Sequence, residues 1–176
     1  MSNDERRDAF ANAFYRQAAS DWQAYKTLAA TPDLARCHSL HYLQMACEKL
    51  AKAYRLRDTA SDVDEIVSKH TGFAKFINSF LRSPALVAEY KGRDAQHQSV
   101  CADAAKFARE IEKLAPAIDR TTSPENAEYP WQRGDHVLVP CEYDYPALSL
   151  LSAAGGRSFL KLIDRAFRDY TQIKTH

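Results

Sequence analysis

Arg93 and His97 stand four residues apart, and together these two residue types can handle a phosphate ester. A guanidinium holds phosphate oxygens through paired N–H donors, and an imidazole that titrates near neutrality can move a proton. Glu89, Arg93 and His97 follow one another at steps of four, which places them on one face of a helix, with Glu89 or Asp94 in position to orient the ring. The same spacing also describes an exposed, salt-bridged helix face. A second pair, Arg36 and His41, is separated by five residues. On a helix that turns the two side chains about 140° apart, so they do not face one phosphate. A match of this kind is expected about once by chance in a chain of this composition.

Three further groupings could bind without reacting. His41, Gln44, Glu48, Lys52 and Arg55 fall within about 80° of arc on one helix. That stripe mixes donors and acceptors suited to a groove, or it is a solvated face with Glu48 and Lys52 as an ordinary pair. Tyr129 and Trp131 lie among Pro124, Pro130 and Pro140. Their rings could stack on a base, but in a proline-rich segment they read as anchors, and both are expected to be buried. Arg157, Lys161, Arg165 and Arg168 form a basic stripe that Asp164 and Asp169 dilute. There is no nucleophile–base signature, no glycine-rich phosphate loop and no metal-ligand spacing, so no metal and no cofactor are expected.

The elements that must carry these residues are legible in the composition. The chain has 176 residues, 45% hydrophobic and 27% charged, a globular balance with enough material for one core. Five glycines and seven prolines leave long unbroken stretches, which favours helices. A net charge of +1 gives no global field for a polyanion. The cysteines Cys37, Cys47, Cys101 and Cys141 form no Cys-x-x-Cys pair, which fits reduced thiols. The charged N-terminus is unlike a signal peptide, and no apolar run reaches the roughly 18 residues of a membrane span. A cytoplasmic protein with no membrane partner is therefore expected.

Phe10, Phe14, Ala18, Trp22, Tyr25 and Leu28 draw an apolar stripe that predicts a first helix over about 4–29. Thr31-Pro32-Asp33 stops it and starts a second helix over about 32–56, with Leu40, Leu43, Cys47 and Leu50 as its seam. Tyr42 and Met45 point away from that seam. A third helix is predicted over about 64–81 with an interruption at Thr71-Gly72, and a fourth over about 84–117. The segment 119–145 reads as an ordered loop with one short extended piece, and 146–170 as a last helix with a weak point or close contact at Gly155-Gly156. The expectation is an all-α fold, an antiparallel four- to five-helix bundle with one long ordered loop, formed by residues 1–176 as a single domain.

The run Tyr42-Leu43-Gln44-Met45-Ala46-Cys47-Glu48-Lys49-Leu50-Ala51-Lys52-Ala53 resembles the Gln-x-Ala-x-Glu-Lys-x-x-Lys-Ala pattern of HEPN domains. Ala19-Ser20-Asp21 with Ala24-Tyr25 and Leu28, the helix that follows His70, and Ala127-Glu128-Tyr129-Pro130 extend the resemblance along most of the chain. It implies a four- or five-helix bundle, frequent homodimers, and two roles. Some members are metal-independent ribonucleases of toxin–antitoxin or defence systems, using an Arg, then four to six intervening residues, then a His. Others bind nucleotides, RNA or protein partners, such as a nucleotidyltransferase, and catalyse nothing. Glu128 stands where the family carries a cationic Arg, and Arg93 to His97 is one residue short of the family spacing. The expectation is thus a non-catalytic binding protein, with an endoribonuclease using Arg93 and His97 as the alternative.

Overall fold

The computed structural model describes residues 1–172. The first helix, α1 (Asn3–Ala29), begins in a reciprocal cap: Ser2 Oγ accepts from the Glu5 N–H at 3.2 Å, and the Ser2 N–H donates back to Glu5 Oε2 at 2.6 Å. A turn with Asp33 at φ +61° leads to α2 (Arg36–Arg55). Pro32 therefore lies in the turn, where the sequence had suggested the first helical residue. Ala11, near the start of α1, packs with Leu56 just past the end of α2, and Lys49 reaches Asp21 at 2.5 Å, so the two helices run antiparallel.

The predicted third helix is two pieces, α3 (Val63–Ser68) and α4 (Phe73–Leu81). Gly72 sits between them at φ +126°, a conformation closed to most side chains. The Glu112 carboxylate accepts from the Gly72 and Phe73 N–H groups and so starts α4. The predicted fourth helix is also divided, into α5 (Pro84–Glu89) and α6 (Asp94–Glu112), because the chain turns at Gly92 with φ +76°. Glu89 and Arg93 are consequently not on one continuous helix.

Between α6 and the C-terminal elements lies an irregular segment with one hairpin, β1 (Trp131–Arg133) and β2 (His136–Leu138), antiparallel with Trp131 opposite Leu138. Arg120 organises the approach to it. Its guanidinium donates to the carbonyls of Lys113, Leu114 and Ala115 at the end of α6, and to those of Ser123 and Glu125. Two short turns follow, α7 (Pro146–Ser149) and a 3-10 turn over Leu150–Ser152, and then α8 (Ala154–Gln172). Gly156 is buried with no room for a Cβ against Leu151, so the close-packing sense of the glycine pair holds there. One main core joins α1, α2, α4, α6 and α8 through residues such as Trp22, Leu43, Ile77, Phe107 and Ile163. The described residues are thus mostly helical, and no helix among them is long and apolar enough to cross a membrane.

Candidate functional site

Four of the five stripe residues on α2, from His41 to Lys52, have partners within the protein. His41 Nδ1 lies 3.2 Å from Glu128 Oε1 in the long loop. Gln44 Nε2 donates to Glu48 Oε2 at 2.9 Å. Glu48 Oε1 meets Lys52 Nζ at 3.1 Å and His70 Nδ1 at 3.0 Å. Lys52 is only 5% exposed, donates to the Val67 carbonyl at 3.0 Å and lies over the Phe14 ring. A buried ammonium needs such partners to stay charged. Gln44, Glu48 and Lys52 therefore tie α2 to α3 and to the segment at His70, and their polar groups are spent inside the protein.

Arg55, one turn beyond Lys52, behaves differently. It lines a cleft of about 490 Å³ with Tyr54, Asp58, Lys75, Phe76 and Phe80. The floor is aromatic: Tyr54 and Phe76 have ring centroids 4.7 Å apart, and Tyr54 and Phe80 5.9 Å. Tyr54 is fixed by its hydroxyl, which donates to the Ala166 carbonyl at 2.7 Å, and burial raises its pKa. It therefore acts here as a neutral ring. Ser79 and Ser83 add hydroxyls along α4 and at the start of α5. Neither Arg55 nor Lys75 pairs with a carboxylate among the described residues. A cleft of this volume with an apolar floor and a few polar groups on its rim has the makeup of a small-molecule site.

Arg93 and His97 come together around Tyr90 without forming a reactive pair. The Arg93 guanidinium donates to the Glu89 carbonyl and lies 5.4 Å from the Tyr90 ring centroid. The His97 ring stacks on Tyr90 at 4.8 Å, and its Nε2 donates to the Leu81 carbonyl at 3.2 Å, closing the C-terminal end of α4. The Glu89 carboxylate turns to Arg165 at 2.5 Å and orients neither. Arg36 reaches toward the Asp144 carbonyl and His41 toward Glu128, so that pair diverges as its angular separation predicts. On α8, Arg165 is taken by Glu89 and Asp169, and Arg157 by the Ser152 carbonyl.

In the long loop the two aromatic residues part company. Trp131 is 7% exposed and packs edge-on against Tyr143 at 5.0 Å. Tyr129 is 70% exposed, which corrects the expectation that both rings are buried. The cause is local: Asn126 Oδ1 accepts from the Glu128 and Tyr129 N–H groups at 3.0 and 2.6 Å, and this turn carries the Tyr129 ring outward. Trp131, Tyr129 and Glu128 line a second cleft of about 440 Å³, beside three prolines.

Sequence reasoning named Arg55 but missed Tyr54, Lys75, Phe76, Phe80 and the two serines as its neighbours. A signal was present, since Phe76 and Phe80 repeat at four beside Lys75 and Ser79, also at four, which puts a polar strip against an aromatic one. No family model matches the chain, and no curated protein and no solved structure matches it.

Proposed function

We propose that this chain is a HEPN-like binding module, built on its four longest helices as an antiparallel bundle, that takes a nucleotide in the cleft at the C-terminal end of α2 and does not cleave it. The observation that carries the reading is the pairing of two uncompensated cations, Arg55 and Lys75, with the aromatic floor of Tyr54, Phe76 and Phe80. Arg55 and Lys75 suit a phosphate, the rings suit a base, and the Asp58 carboxylate has lone pairs to accept from a ribose hydroxyl. Titration calorimetry with adenosine and guanosine monophosphates tests this. Saturable binding is expected, weakened about tenfold to hundredfold in Arg55→Gln by loss of a charge-assisted hydrogen bond. Equal heats from wild type and variant would remove the proposal.

The endoribonuclease reading rests on Arg93 and His97 sharing Tyr90. His97 spends a ring nitrogen on Leu81, and Glu89 is turned away, so we expect no cleavage of RNA in the presence of chelator. Cleavage that His97→Ala abolishes without lowering the melting temperature would replace the binding reading. We further propose that two copies pair through the half-buried α1–α2 face around Tyr42, Ala24 and Leu28. A sedimentation mass that stays at 19.9 kDa at high concentration would dismiss the pairing.

A further inference from the structure

A further cleft, of about 310 Å³, opens where the α1–α2 turn meets the short turns before α8. Its floor is aliphatic. Leu40, Leu148 and Leu151 are buried, Leu160 of α8 is half-buried, and Leu34 in the turn is 37% exposed. Two exposed arginines stand in the lining, Arg36 on the first turn of α2 and Arg157 on the first turn of α8, and no acid does. Neither arginine forms an ion pair among the described residues. Each commits one terminal nitrogen, Nη1, to a backbone carbonyl: Arg36 to Asp144 at 3.5 Å, and Arg157 to Ser152. The Nε and Nη2 of each, the edge that grips a carboxylate through two parallel N–H bonds, have no partner among the described residues. Arg120 differs, since both of its terminal nitrogens are committed.

The other polar groups narrow the kind of ligand. The hydroxyls of Thr31, Ser39 and Ser152 donate to the carbonyls of Thr27, Arg36 and Ser149 at 2.9, 2.9 and 3.1 Å. The unspent donors in the lining are therefore the two guanidinium groups, and they call for an anion. An amino acid would bring an ammonium into a lining that has two cations and no acid to receive it. The nucleotide cleft has three rings in its floor, whereas this one sets Tyr25 among leucines, which suits an alkyl chain rather than a base. Its volume lies at the small end of ligand sites, which favours a medium chain over a long one.

We propose that this cleft binds a medium-chain fatty acid such as octanoate, with the carboxylate on Arg36 and Arg157 and the chain along the leucines. A fatty acid has one anionic end and no other polar group, which matches a lining whose only unspent donors are cationic. Its chain would cover the exposed Leu34 and remove apolar surface from water. The site lies at the opposite end of α2 from the nucleotide cleft and does not depend on that reading.

Titration calorimetry of the full chain with sodium octanoate tests this. Saturable binding is expected, with affinity rising by up to about fourfold for each methylene from pentanoate to octanoate. Arg36→Gln and Arg157→Gln change exposed side chains, and each should weaken octanoate about tenfold at an unchanged melting temperature. Leu34→Glu, which sets a carboxylate in the cleft, should abolish binding, while Arg55→Gln should leave it as in wild type. Octan-1-ol, which has the chain without the charge, should bind about tenfold more weakly than octanoate. The proposal is overturned if octanoate does not bind, if both arginine variants bind it as wild type does, or if octan-1-ol binds equally well. It is equally overturned if N-acetyl-leucyl-leucine binds and octanoate does not, which would give the cleft to a protein C-terminus.

Discussion

Arg55 and Arg120 carry the same side chain, and each lines a cleft, yet they make opposite sites. Arg120 donates to five backbone carbonyls and has become part of the loop it organises. Arg55 has no carboxylate ion pair among the described residues and lines its cleft together with Lys75, Tyr54, Phe76 and Phe80. What distinguishes an anion site is therefore not a cation at a cleft but a cation whose donors are still unspent. Lys52 makes the same point at closer range. It lies one turn before Arg55 on the same stripe, but is buried and committed to Glu48 and Val67.

The sharpest way to break the comparison is on α2 itself. Glu48→Ala leaves the Lys52 ammonium buried with only a carbonyl partner, and should cost about 3 kcal/mol in urea denaturation. Arg55→Gln should stay within about 0.5 kcal/mol of wild type. Equal losses would mean that Arg55 is as structural as Lys52. In the loop, Trp131→Ala should likewise cost about 3 kcal/mol, while Tyr129→Ala should change stability by less than about 0.5 kcal/mol.

A smaller effect comes from the buried hydroxyls. Burial pushes Tyr25 up to about 12, and also raises Tyr54 and Tyr145. Unfolded tyrosines ionise near 10, so the unfolded state releases its protons first and stability is lost as pH rises between about 10 and 12. Tyr25→Phe should remove on the order of 2 kcal/mol of that alkaline loss, read from melts across the range. An unchanged alkaline slope would contradict the burial of Tyr25. Smallest of all, His97→Ala should lower stability by about 1 kcal/mol, the worth of its bond to the Leu81 carbonyl. No change would show that the ring does not hold the end of α4.

The helices were legible in the sequence because apolar periodicity follows burial. The stripe through Ala18, Trp22 and Tyr25 and the seam of Leu40, Leu43, Cys47 and Leu50 are buried as the pattern predicts. Breaks were harder to place. Gly72 lies at a predicted interruption, but Gly92, where the sequence suggests at most a bend, divides the helix outright, and with it goes the shared face of Glu89, Arg93 and His97. The candidate site was legible only in Arg55, because its neighbours come from α4 and the turn before α5, and periodicity says nothing about which helices meet. The divergence of Tyr129 from Trp131 depends on one Asn126 side chain capturing two backbone N–H groups, an interaction that leaves no trace in hydrophobic pattern.

The proposed nucleotide site rests on Arg55 and Lys75 as unspent cations serving one ligand. Calorimetric titration of adenosine monophosphate into wild type, Arg55→Gln, Lys75→Gln and Arg93→Gln tests it most directly. The account predicts saturable binding to wild type, weakening of about tenfold or more in each of the first two variants, and unchanged affinity in the third. Binding that survives in Arg55→Gln and Lys75→Gln but is lost in Arg93→Gln would contradict it and move the site to the turn at Tyr90.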